Sequence, residues 1–86
     1  MTAGDFDNDE LRYNKEIFRK IGIRLKTLRK AKGYTNYEKF ANAFDISRSN
    51  YGKYERGVVN LTMETLLKIL RALDVSLGEF FSEGFD

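Results

Sequence analysis

Two helix-start signals in the middle of this chain leave little freedom in what lies between them. Thr35-Asn36-Tyr37-Glu38 has the form of a capping box, with Thr35 as N-cap and Glu38 at N3. Ser47 is a second N-cap. The helix begun at the first signal carries Phe40, Ala41 and Phe44 and must end before the second. Asp45 suits the tight turn between them, because Asp tolerates left-handed backbone angles better than most residues. The helix begun at Ser47 closes at Gly57, with Tyr51 and Tyr54 on its inward face and Ile46 placed to pack on Tyr51 as a hydrophobic staple. The spacing predicts short helices over about 36–44 and 48–56, joined by about three residues.

The flanking segments are helical too. From about Glu10, Leu11, Phe18, Ile21, Leu25, Leu28 and Ala31 fall at helical spacing, and Gly33 ends the run as a left-handed C′ residue. Gly22 interrupts this helix at a cost of roughly 1 kcal/mol relative to Ala, unless close packing needs it. The Arg and Lys of this helix are read as a solvated face. Thr62 caps a fourth helix with Met63, Leu66, Leu67, Ile69, Leu70 and Leu73 on a wide apolar stripe. Ser76-Leu77-Gly78-Glu79 is another capping box, opening a short last helix with Leu77, Phe80 and Phe81. The chain has no Pro and its Gly residues are scattered, which disfavours sheets joined by tight turns. The expected architecture is all-α, five helices, with a disordered acidic segment over 1–9, one domain over 10–82 and a tail over 83–86.

Composition narrows the function. There is no Cys and no His, so thiolate and imidazole metal sites, disulfides and the commonest general base are all missing. No Gly-rich phosphate loop or carboxylate pair suggests an enzyme, and no cofactor is expected. No apolar run is long enough to span a membrane, and the polar, acidic start is not that of a secretory signal, so a cytoplasmic protein is expected. The net charge is only +2, but all 15 Lys and Arg lie between positions 11 and 71, against five acids there, a net +10. A basic centre with acidic ends fits a phosphate-binding surface.

Two short, separately capped helices held between longer ones form a helix-turn-helix. The outward first turn of the second, Arg48, Ser49 and Asn50, with Lys53 one turn on, is basic or small and polar, which suits phosphate oxygens and base edges in the DNA major groove.

At this point the sequence resembles a known family. Ile21-Gly22-Ile23-Arg24-Leu25-Lys26-Thr27-Leu28-Arg29, Lys32-Gly33, Phe40-Ala41, Ile46-Ser47-Arg48-Ser49, Tyr54-Glu55-Arg56-Gly57, Thr65-Leu66-Leu67-Lys68-Ile69-Leu70 and Leu73-Asp74-Val75-Ser76 are similar, in order and spacing, to the lambda-repressor-like, XRE-type helix-turn-helix proteins. The resemblance covers about residues 17–81 and implies a five-helix domain whose third helix reads the major groove. It implies base contacts for Arg48, Ser49 and Lys53, and a backbone or water-mediated contact for Asn50. It also implies a phosphate-contacting loop of Arg56 and Val58-Val59-Asn60, and a buried ion pair between Arg29 and Glu55. Where the family places a Gln at the start of helix 2, either Asn36 or Tyr37 takes its place as a backbone contact. Thr35 and Ser47 are caps that also lie near phosphates. The chain departs from the family pattern in one extra residue between Gly33 and Ala41, in Asp45 where Gly is usual, in Tyr51 and Tyr54 where aliphatics are usual, and in Gly52. A Gly in mid-helix suggests close approach of a side chain or of DNA.

The resulting expectation is a sequence-specific, double-stranded DNA-binding transcriptional regulator of the repressor type. The alternative is an antitoxin or docking module whose main partner is another protein, which an apolar rather than basic 48–53 face would favour. A homodimer is expected, because relatives bind half-sites about 34 Å apart. Its candidate surface is Leu77, Phe80, Phe81 and Phe85, crowded at the C-terminal end; the competing arrangement has Phe80 and Phe81 completing the monomer core with Phe85 folded over it.

Overall fold

The computed structural model describes residues 7–86, and its described residues form five helices and no strand: α1 (Asn8–Ala31), α2 (Tyr37–Ala43), α3 (Arg48–Arg56), α4 (Met63–Leu73) and α5 (Leu77–Phe80). Positions 1–6 of the segment expected to be disordered lie outside the described residues. Positions 8 and 9 of it are helical, because Asp7 caps α1: its carboxylate accepts from the Glu10 N–H at 2.8 Å. Acids in this first turn also favour the positive end of the helix dipole.

Local chemistry sets most boundaries. The Ser47, Thr62 and Ser76 hydroxyls accept from the N–H of Asn50, Thr65 and Glu79 respectively. Gly57 is left-handed at φ 69°, and Asp45 and Asp74 adopt the same region at 57° and 59°. The start of α2 differs from expectation. Its N-cap is Asn36, not Thr35: the Asn36 side-chain oxygen accepts from Glu38 and Lys39 N–H at 2.7 and 3.3 Å, from an extended backbone. Adjacent Thr and Asn both satisfy the cap preference, and the short Asn36 amide reaches both orphan donors at once.

The helices close around Leu25, Phe40, Ala41, Ile46, Tyr51, Leu66, Ile69, Leu70, Leu73 and Phe80. Burying each large side chain contributes about 1.5–3 kcal/mol. Tyr34, Phe40, Phe44 and Tyr51 interlock, with ring centroids 5.1–6.0 Å apart. Gly22 lets α1 and α3 meet backbone to backbone: a Cβ there would sit 2.7 Å from the Tyr54 carbonyl oxygen and closer still to that of Glu55. Its cost in helix propensity is thereby explained. The turn between α2 and α3 is held from α4, where Lys68 Nζ donates to the Asp45 carbonyl at 2.9 Å.

Two expectations are corrected. Arg24, assigned to the solvated face of α1, is buried; its guanidinium donates to the Phe80 and Glu79 carbonyls at 2.8 Å each and so closes the C-terminal end of α5. Phe80, a candidate for the dimer surface, is fully buried in the monomer core, with Phe85 half-buried against it. On α4, Met63 and Leu67 lie on the outer edge of the expected stripe and remain exposed.

Candidate nucleic-acid interface

The site is built on α3, because that helix is fixed from behind and bare in front. Behind it, Arg29 of α1 reaches Glu55 with Nε 2.7 Å from Oε2 and Nη2 3.0 Å from Oε1, both side chains under 10% exposed. The third arm of the same guanidinium donates to the Tyr34 carbonyl at 2.6 Å. One Arg therefore ties α3 to α1 and to the α1–α2 connection. The hydrogen bond to Glu55 holds the Arg29 guanidinium above its ordinary pKa, against the opposing effect of burial. The Tyr51 hydroxyl is buried beside this pair without a hydrogen bond of good geometry among the described residues. Burial, and after it the Glu55 carboxylate within reach of the hydroxyl, pushes its phenol well above the usual tyrosine range.

In front, Ser47, Arg48, Ser49 and Asn50 are exposed on the cap and first turn, and Lys53 is half-buried one turn further along. Thr35 and Asn36 are exposed at the start of α2, and Arg56 and Asn60 are exposed at and beyond the end of α3. Tyr37 is half-buried, and the reason lies in Gly52. A Cβ on Gly52 would fall 2.9 Å from Tyr37 Cε2 and 3.3 Å from an Arg56 guanidinium nitrogen, so the ring and the guanidinium converge over this glycine. Of the two close approaches that a mid-helix glycine suggested, the side chain accounts for it.

Two features lie outside the expectations from sequence. Glu38 lies 3.7 Å from Arg48, both well exposed, so a carboxylate of α2 holds the leading cation of α3 in a weak surface pair. Nothing in linear spacing relates positions 38 and 48; the angle between the two helices does. Arg24 had a signal, since it lies three residues after Ile21 and four before Leu28, on the apolar face of α1. Among the described residues no group of His, Cys, Asp and Glu could hold a metal, and no helix is long and apolar enough to cross a membrane.

The arrangement is that of known DNA regulators. The family described as helix-turn-helix matches residues 25–80. The chain is 38% identical over 64 residues to the control protein C.MunI of Mycoplasma sp, covering 74% of this chain and 86% of that protein. It is 43% identical over 60 residues to the cryptic phage CTXphi transcriptional repressor RstR of Vibrio cholerae, covering 70% of this chain and 53% of RstR, so it spans about half the length of that relative. Among solved structures, the restriction-modification controller protein C.AhdI of Aeromonas hydrophila superposes with a TM-score of 0.69 at 38% identity, over 77% of this chain and 98% of C.AhdI. The chain belongs to the XRE-type helix-turn-helix family of DNA-binding regulators.

Proposed function

We propose that this protein is a sequence-specific transcriptional regulator that works in the cytoplasm as a homodimer on duplex DNA. The observation that carries the reading is the exposed, acid-free first turn of α3, Ser47 to Asn50, on a helix pinned from behind by Arg29 and Glu55. Arg48, Ser49 and Lys53 contact base edges in the major groove. Thr35, Asn36, Tyr37, Ser47, Asn50, Arg56 and Asn60 contact the backbone; Asn36 keeps its amide nitrogen for this, since its oxygen is committed to the cap. With Phe80 inside the core, the dimer surface reduces to Leu77 and Phe81, both exposed, and the outer edge of Phe85, which packs on Phe81. Exposed apolar groups gathered at one end of a small domain mark an interface.

Selection of binding sites from random duplexes, followed by titration between about 50 and 200 mM salt, tests the reading. A preferred, two-fold sequence and a log–log slope of about −0.9 per phosphate contacted are expected. Absence of duplex binding at low salt overturns it. Sedimentation of wild type and Phe81→Ala, with and without that duplex, tests the dimer: one copy per palindrome, bound without cooperativity, refutes it.

A further inference from the structure

Between the first half of α1 and the turn after α3 runs an open groove of about 740 Å³. Leu11, Lys15, Phe18 and Arg19 line it from α1, and they share one helix face by their four- and three-residue spacing. Arg56 and Asn60 line it from the other side. We infer that this groove is a second binding strip for the DNA phosphate backbone, in which Lys15 and Arg19 carry the strand on beyond Arg56 and Asn60. The inference rests on the DNA-reading role proposed for α3.

Four observations support it. The first is charge: the lining has three cations and no carboxylate. Lys15 and Arg19 are like charges one turn apart, which weakens a helix, and among the described residues neither forms an ion pair. A bound polyanion offsets that repulsion. The second is continuity. Arg56 belongs both to this groove and to the cluster over Gly52 on α3, so a strand lying along one surface is delivered to the other. The third is rigidity. Gly57, at φ 69°, abuts α1 so closely that a Cβ would lie 2.6 Å from Arg19 Cα. The two walls therefore hold a fixed register, as a contact that must coincide with α3 docking requires. The fourth is that only one wall belongs to the matched domain: Arg56 and Asn60 fall within residues 25–80, whereas Leu11 to Arg19 precede them, so Lys15 and Arg19 extend that domain's basic surface beyond the matched residues. The strip is bounded at its far end by Asp7, Asp9 and Glu10, which line a neighbouring surface and repel phosphate. Leu11 and Phe18 provide an apolar floor suited to the sugar faces between phosphates.

The test measures the salt dependence of duplex binding by the full chain, using the selected site, for wild type, Lys15→Ala/Arg19→Ala and the charge-keeping Lys15→Arg/Arg19→Lys. The expected result is a log–log slope shallower by about 2 in the alanine variant, from about −0.9 per lost contact. The preference for the selected site over a mismatched one should be unchanged, the melting temperature should not fall, and the charge-keeping variant should retain the wild-type slope. An unchanged slope overturns the inference and leaves the α3 reading intact. Failure of the wild-type chain to bind any duplex overturns both. If the alanine variant keeps its slope but loses binding to a polyglutamate peptide that wild type holds, the groove takes an acidic protein segment and the inference also falls.

Discussion

Arg29 and Glu55 form a two-point ion pair, 2.7 and 3.0 Å, inside the contact between α1 and the proposed reading helix. Removing one partner leaves the other charge buried without compensation, at a cost of about 3–5 kcal/mol. Glu55→Ala is therefore expected to lower the melting temperature by roughly 12 °C or more, at about 4–8 °C per kcal/mol for a domain of this size. A thermal melt followed by circular dichroism checks this; a shift of a degree or two would mean that the pair is not buried in solution.

Tyr51 holds a hydroxyl in the core without a well-formed hydrogen bond. Tyr51→Phe is expected to leave stability unchanged or to raise it by about 1 kcal/mol, because an unsatisfied buried polar group is removed without a change of shape. The same site gives a pH signature. The folded pKa is raised above the unfolded value of 10.0, so below pH 10 both states hold the proton and stability is unaffected. As pH rises beyond 10 the unfolded state loses the proton while the folded state keeps it, and stability declines. Wild type should lose melting temperature above pH 10 more steeply than Tyr51→Phe. Spectrophotometric titration should show one of the five tyrosines ionising only on unfolding.

Gly22→Ala pits helix propensity against packing. Propensity favours Ala by roughly 1 kcal/mol. The added Cβ, however, meets the carbonyl oxygens of Tyr54 and Glu55, backbone atoms that no rotamer change can move. Overpacking of this kind costs about 1–3 kcal/mol. The variant should be net destabilised and should bind duplex more weakly, since the helix that must separate from α1 is α3. Equal or higher stability than wild type would refute the backbone contact.

Arg48 and Arg56 should separate by sequence dependence. Arg48→Ala is expected to cost about 1–3 kcal/mol on the preferred duplex and to relax discrimination at one base pair, whereas Arg56→Ala should weaken all duplexes alike. Glu38→Gln should strengthen binding several-fold, because it releases Arg48 and removes a negative charge from the face that meets phosphate. Binding measured on the preferred site and on single-mismatch duplexes distinguishes these outcomes; uniform losses for both Arg variants would remove Arg48 from base reading.

Local features are legible along the chain: the number and order of helices, the caps at Ser47, Thr62 and Ser76, the left-handed stops at Gly33 and Gly57, and the turn at Asp45. Each follows from one residue and its immediate neighbours, since caps and turns are satisfied by backbone groups within four positions. Even there, two adjacent residues of equal fitness left the cap of α2 one position out, at Thr35 rather than Asn36. Packing between helices sets which side of each element meets another. Arg24 is buried because α5 brings two carbonyls to it, Phe80 is internal because α5 folds onto the core, and Tyr37 covers Gly52 because α2 crosses α3 there. The same crossing places Glu38 against Arg48, and the packing of the turn after α3 on α1 assembles Lys15, Arg19 and Arg56 around one groove. These relations join residues far apart in the chain, so they depend on helix crossing angles and shared burial, which no spacing rule along the sequence contains.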